Sequence, residues 1–320
     1  MKVEDEGRAV AAFEKACKGG VHRGCTLLGT MILQHEPSLA VKLFDQGCKA
    51  GDALGCNNLG FAYDEGLGVR KDQTRAAGLY EKACHMNDPS ACHNTAESLA
   101  GGHGVPKDPA RAIPFWTKAC DAGAARACNK LATAYGDGEG VARDATRAAQ
   151  MHTRACDLGH EVSCGSVGVA YLLGEGVPVD KQKGVALLKH GCDGNDLSSC
   201  AILAELAMKG DVLPKDESGA AAIFEELCDR GELRGCNGLG FVLQEGRGLS
   251  KDETRALEVF TKACHAGSPG ACFNEGALRE QGRGGPKASR EEVIGLYRKA
   301  CASRKVSAGC SALTRLGAKP

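Results

Sequence analysis

The placement of the cysteines constrains this chain more than any other feature. All 18 fall into pairs: Cys17/Cys25, Cys48/Cys56, Cys84/Cys92, Cys120/Cys128, Cys156/Cys164, Cys192/Cys200, Cys228/Cys236, Cys264/Cys272 and Cys301/Cys310. Eight pairs enclose seven residues and the last encloses eight, and from Cys48 to Cys264 the first member returns every 36 residues. A repeat of this length implies a stack of small units, each unable to bury its apolar face alone and each completed by its neighbours.

Other residues keep the same register. Four positions before the first cysteine stand Phe13, Phe44, Tyr80, Trp116, Leu188, Phe224, Phe260 and Tyr297, with His152 the exception; eight before it stand Ala9, Ala40, Ala76, Ala112, Ala148, Ala220 and Ala256. Spacings of four and eight describe one buried helix face. After the second cysteine, "NNLGFAYDEGLGVRKD" (57–72) is echoed by "NKLATAYGDGEGVARD" (129–144) and "NGLGFVLQEGRGLSKD" (237–252). Leu59 and Tyr63 lie on the inner face of a first helix, and Gly60 leaves room for a neighbouring one. The following glycines end that helix, because glycine alone enters positive φ cheaply. Asp72, Asp108, Asp144, Asp180, Asp216 and Asp252 are then placed to cap the next helix. Each period reads as helix, glycine turn, helix.

The unit "LGxxYxxGxGVxxDxxRAxxxYxKAC" resembles the Sel1-like repeat, a relative of the tetratricopeptide repeat. The 36-residue period and seven-residue cysteine spacing resemble the Helicobacter cysteine-rich protein family in particular. The resemblance runs over residues 5–316 and implies an all-α fold: a right-handed α/α superhelical solenoid with each repeat clipped by a disulfide. The expected organisation is a single domain over 1–320, with a half repeat at 1–17, repeats over about 25–301 and a capping helix near 310–317.

In such a hairpin the first cysteine sits in the last turn of one helix and the second in the first turn of the next, within disulfide reach if the helices pack at roughly 8–10 Å. All nine pairs are expected to be bridged locally. Closing a loop of about nine residues is worth about 2.5 kcal/mol per bridge on the chain-entropy estimate. Free buried thiols and zinc are the alternatives, although zinc clusters favour two to four intervening residues. An even cysteine count at fixed spacing points to an oxidising compartment, secreted or periplasmic, with the mitochondrial intermembrane space as the alternative. The start, "MKVEDEGRAVAAFEKAC", lacks an apolar core and a cleavage site, and Asp5 aligns with Asp72; a removed leader and half repeat are the expectation.

Lys plus Arg and Asp plus Glu number 40 each, so no long-range field gathers phosphate backbones, and aromatics make up only 4%. Nucleic acid is not an expected partner, and no apolar run approaches the roughly 20 residues that span a bilayer. Chemistry-bearing motifs are sparse. His85 and His93 each follow a cysteine and are expected to face solvent; "HEVSC" (160–164) lacks the second histidine of HExxH, and the glycine turns lack the Lys-Ser/Thr of a phosphate loop. The family resemblance implies a penicillin binder with weak β-lactamase activity as one alternative, and a redox, metal or haem-handling assembly factor as another. No serine is followed by lysine at the third position and no G-x-S-x-G occurs, so no catalytic residue, metal or cofactor is assigned.

A non-enzymatic scaffold that holds a protein or peptide in its concave groove is therefore the leading expectation. In paired-helix solenoids the first helix of each repeat lines that groove, which selects Asn57, Asn58, Asn94, Asn129 and Lys130 as peptide contacts. A second reading makes the asparagines caps for first-turn amides. Three departures from the repeat stand out. Pro114 falls inside a second helix, where it is expected to bend it. Val212 replaces the second turn glycine. Glu275, Arg279 and Ala288 interrupt the last full repeat, on a face expected to be polar because nothing stacks on it. Thiol titration of the denatured, unreduced protein is expected to find close to no free thiol; a mass map showing bridges between distant repeats would contradict the local pairing.

Overall fold

The computed structural model describes residues 2–302 and 307–319. Among them lie eighteen helices and no strand: α1 Lys2–Lys18, α2 His22–Ile32, α3 Pro37–Lys49, α4 Ala53–Glu65, α5 Gln73–His85, α6 Pro89–Gly101, α7 Pro109–Asp121, α8 Ala125–Asp137, α9 Ala145–Asp157, α10 Glu161–Leu173, α11 Lys181–Asp193, α12 Leu197–Lys209, α13 Glu217–Asp229, α14 Leu233–Glu245, α15 Glu253–His265, α16 Pro269–Gln281, α17 Arg290–Cys301 and α18 Ser307–Arg315. They group into two compact units. One takes in the chain up to Ser163 together with Glu175–Pro178; the other takes in Cys164–Gly174 and the chain from Val179 onward. In the first unit each helix from α1 to α9 packs on the next, and α4 also touches α2 and α6. In the second, α11 to α18 pack in the same sequential way, and α12, α14 and α16 touch.

The local signals act as their chemistry requires. Asp72, Asp108, Asp144, Asp180, Asp216 and Asp252 each accept the amide N–H three residues on, at 2.8 to 3.1 Å. These carboxylates satisfy amides that a helix start would otherwise leave open. Gly66, at the end of α4, takes φ 77° as a left-handed C-cap. The second turn glycine has a further role. A Cβ on Gly68 would collide with the Pro37 carbonyl, and one on Gly104 with that of Gln73, so the turn of one repeat lies directly on the start of an odd-numbered helix of the repeat before it. Val212 stands at this position in the second unit, and there a cleft of about 390 Å³ opens between the turn and Lys181, Val185 and Lys189 of α11.

The buried face is the one the spacing predicts. Phe44, Tyr80, Phe224, Phe260 and Tyr297 are nearly inaccessible, as are Ala40, Ala76, Ala112, Ala220 and Ala256. The alanines let the helices close on the rings, and a Cβ on Gly60 would press into the Tyr80 ring. Bridges join Cys17–Cys25, Cys48–Cys56, Cys84–Cys92 and Cys120–Cys128 in the first unit, and Cys192–Cys200, Cys228–Cys236, Cys264–Cys272 and Cys301–Cys310 in the second, with Cα atoms 4.3 to 4.8 Å apart. Cys156 and Cys164 are disulfide-bonded too, and no described cysteine is free. Between the bridged partners the chain reverses through a left-handed residue, which is glycine in most repeats and Asn87 or Asn195 in two of them. Lysine side chains add a second tie: Lys118 Nζ donates to the Cys84 carbonyl at 2.8 Å, beside the Asn87 amide that the same carbonyl accepts where α5 ends.

Two expectations are corrected. Asp5 lies inside α1 and not at its start. Pro114 lies within α7, which keeps the same thirteen residues as its neighbours; the proline ring is exposed, so water can serve the carbonyl that loses its amide partner. Glu275 is not on an open polar face. It takes the core position of Leu59, is 3% exposed because α17 covers it, and pairs with Arg279 at 2.8 Å. Reduction of the bridges is expected to lower the melting temperature while helical circular dichroism persists at moderate temperature, because each fully buried large side chain still contributes roughly 1.5–3 kcal/mol. A random-coil spectrum in reductant would show that the bridges are indispensable.

Candidate functional site

The first turns of the even-numbered helices carry the asparagines singled out by the repeat. In the first unit Asn94 Nδ2 donates to Asn57 Oδ1 at 3.0 Å, linking α6 to α4, and Asn58 Nδ2 donates to Thr30 Oγ1 at 3.0 Å, linking α4 to α2. Ser163 Oγ donates to Asn129 Oδ1 at 2.9 Å. The second unit repeats the first of these links, Asn274 Nδ2 to Asn237 Oδ1 at 2.9 Å. The amide caps of these helices come from other residues, such as Asp88 for α6 and Ser268 for α16. The asparagines are thus rungs between successive repeats. Asn57 is buried with its carbonyl used, whereas Asn58 and Asn94 are half-buried.

Beside the rungs lies a polar cluster joining three helices. Glu97 of α6 accepts Trp116 Nε1 of α7 at 3.1 Å and Lys130 Nζ of α8 at 2.8 Å. The carboxylate therefore holds Lys130, which is exposed, at the surface beside Asn94. His93 is half-buried and does not face solvent as expected. Burial lowers its pKa, Glu97 opposes that shift, and Lys130 and Arg126 add to it. His85 is exposed, as expected.

Sequence reasoning missed one side chain on this face. Phe61 of α4 is 43% exposed, and Phe241 of α14 holds the equivalent place in the second unit at 42%. The available signal was composition by column: this position carries Glu97, Thr133, Val169, Glu205 and Ala277 in other repeats, so the rings at 61 and 241 stand out by size in a column that tolerates polar residues. The face of α4, α6 and α8 thus combines an exposed aromatic ring, amide donors and acceptors, and one oriented cation. Such groups offer an apolar contact, amide donors and acceptors, and a positive charge to an extended chain.

The Sel1 repeat matches residues 25–52, 53–88, 89–123, 125–160, 163–196, 197–232 and 233–268. The chain belongs to the Sel1 repeat family. No curated protein matches it in sequence. Among solved structures, a protective antigen of uropathogenic Escherichia coli displaying an SLR fold is similar with TM-score 0.78 at 24% identity, over 96% of this chain and 66% of that one. This Sel1 repeat chain therefore spans just under two thirds of that relative. A Sel1 repeat protein from Oxalobacter formigenes is similar with TM-score 0.67 at 27% identity, over 74% of this chain and 98% of that one. Helicobacter pylori cysteine rich protein B is 31% identical over 41% of this chain and 93% of its own, with TM-score 0.33.

The most perturbed histidine lies apart from this face, in the Sel1 repeat over 125–160. His152 occupies the slot that is aromatic or leucine elsewhere, with its Nδ1 3.4 Å from Ser163 Oγ; His160 Nδ1 lies 3.0 Å from the same hydroxyl. Burial, with a smaller contribution from His160, pushes the His152 pKa down to about 4. The folded state then binds fewer protons than the unfolded one between that value and the ordinary 6.5. The stabilisation is complete above about pH 6.5 and is lost as the pH falls toward 4. Phenylalanine fills the same slot at Phe44, Phe224 and Phe260. His152→Phe is expected to raise the melting temperature more at pH 5 than at pH 7.5; an equal change at both values would show that His152 does not titrate on unfolding.

Proposed function

We propose that this chain is a non-enzymatic scaffold, secreted or periplasmic, that holds an extended protein segment along the face of α4, α6 and α8. The observation that carries this reading is the co-location, on one set of like-placed helices, of exposed Phe61, half-buried Asn58 and Asn94, and a Lys130 ammonium oriented by Glu97. Amide side chains meet a peptide backbone without demanding a sequence, the ring offers apolar area, and the cation adds preference for an acidic group or a terminal carboxylate. The rungs supply rigidity, since Asn57 is held in place by Asn94 before any partner arrives. Protein binding is the general role of Sel1 and related helical repeats, which supports the assignment. The disulfide-rich build implies an oxidising, non-cytoplasmic environment. Among the described residues no helix is long and apolar enough to cross a membrane.

Phe61→Ala combined with Lys130→Ala is the test, because both side chains are exposed and their removal leaves the core and the Asn57–Asn94 rung in place. A partner captured under oxidising conditions is expected to lose on the order of 1–3 kcal/mol of binding free energy, with the melting temperature shifted by less than a few degrees. Unchanged affinity would place the binding surface elsewhere. A drop in stability that matches the drop in binding would make this face structural.

A further inference from the structure

Beyond the repeats matched to the family, residues of α16, α17 and α18 line a cleft of about 1100 Å³. Its walls carry small side chains: where α4 carries Phe61, α16 carries Ala277, and α18 contributes Ala308, Ser311 and Ala312, while Val293 and Tyr297 of α17 also line the cleft. The floor is apolar and aromatic. Phe273 replaces the asparagine of the rung column and lies against Tyr297 with ring centroids 5.7 Å apart, and Val293 is buried beside them.

The polar groups of the cleft are unevenly satisfied. Glu280 is fully engaged: Arg315 grips it through both terminal nitrogens at 2.9 and 2.6 Å, and Tyr297 Oη donates to it at 2.8 Å. Its carboxyl is held below the usual carboxylate range, first by Arg315, and so stays ionised. This pair neutralises itself and fixes Tyr297 on the floor. Two further cations line the cleft. Arg290 is steadied by donating to the Leu316 carbonyl, and it and Lys287 have no carboxylate partner among the described residues. Three cationic side chains against one carboxylate leave the cleft positive in a chain whose overall charge is zero.

We infer that this cleft is a binding site for an amphipathic organic anion: an aromatic or branched apolar body seated on the half-buried Phe273, which the buried Tyr297 ring supports from beneath, with one carboxylate directed to Lys287 and Arg290. A free carboxylic acid and the C-terminal residue of a peptide share this chemistry. The size suits either, since ligand pockets run to roughly 1,000 Å³ and bury most of the molecule they hold. The site is independent of the face on α4, α6 and α8, because it uses neither its helices nor its residues.

The test is calorimetric titration of the intact oxidised protein at low salt with four probes: N-acetyl-phenylalanine, its amide, a tetrapeptide Gly-Gly-Ala-Phe with a free C-terminus, and the same peptide amidated. The acids are expected to bind on the order of tenfold more tightly than the amides, about the effect of one charge pair. Lys287→Glu combined with Arg290→Glu is expected to abolish that preference while leaving the melting temperature unchanged, as both side chains are exposed. Lys71→Glu, at an exposed turn of the first unit, is expected to leave it intact. Equal affinity of peptide and N-acetyl-phenylalanine assigns the site to a free acid; a stronger peptide assigns it to a chain terminus. Equal binding of acids and amides, an undiminished preference in the double variant, or no binding of any probe at millimolar concentration overturns the inference.

Discussion

The structure depends on the contact by which one repeat completes the next. No single helix pair here buries enough surface to stand alone; Tyr80, for example, is covered because Gly60 on the preceding helix has no Cβ to hold it off. The same rule recurs at the turns, where Gly68 lies on the Pro37 carbonyl and Gly104 on that of Gln73. Small residues set the distance between units, and large rings fill the space that remains. Most of the bridged cysteines are buried in the same core, and each bridge adds a covalent limit on how far its hairpin can open when the chain unfolds.

This division of labour explains where variation is tolerated. Val212 cannot make the close approach, and the chain answers with a cleft at that turn while the remaining contacts of α11 to α13 continue. Glu275 and Arg279 replace Leu59 and Tyr63 by an ion pair whose carboxylate is buried and whose guanidinium is half-buried. Such a pair needs both members, since removing one would strand a charge without solvent. The asparagine rungs are a milder version of the same device, because each amide finds its partner on the neighbouring repeat.

The two candidate surfaces use opposite halves of this logic. On α4, α6 and α8 the repeat is intact, and the proposed binding face is made of what its columns present: Phe61, Asn94 and Lys130. On α16 to α18 the repeat has lapsed. Phe273 stands where Asn57 and Asn237 stand in other repeats, Ala277 stands where Phe61 and Phe241 stand, and the cleft these helices line is the proposed anion site. A periodic fold thus yields one surface from its regularity and another from its interruption.

The helix-turn-helix period, the aspartate caps, the glycine turns and the local cysteine pairing were legible in the residues alone. Each depends on groups within about nine positions of one another, where the chain itself enforces proximity. Tertiary structure decided the rest. That Asn57 is bonded by Asn94, that Glu97 orients Lys130, that Glu275 is covered by α17 and that Pro114 leaves α7 unbroken all depend on packing and solvent access that spacing along the chain does not specify. The phenylalanine at 61 could be read as an oddity in its column, but its exposure could not, because burial is a property of the neighbours that pack against a residue and not of the residue itself.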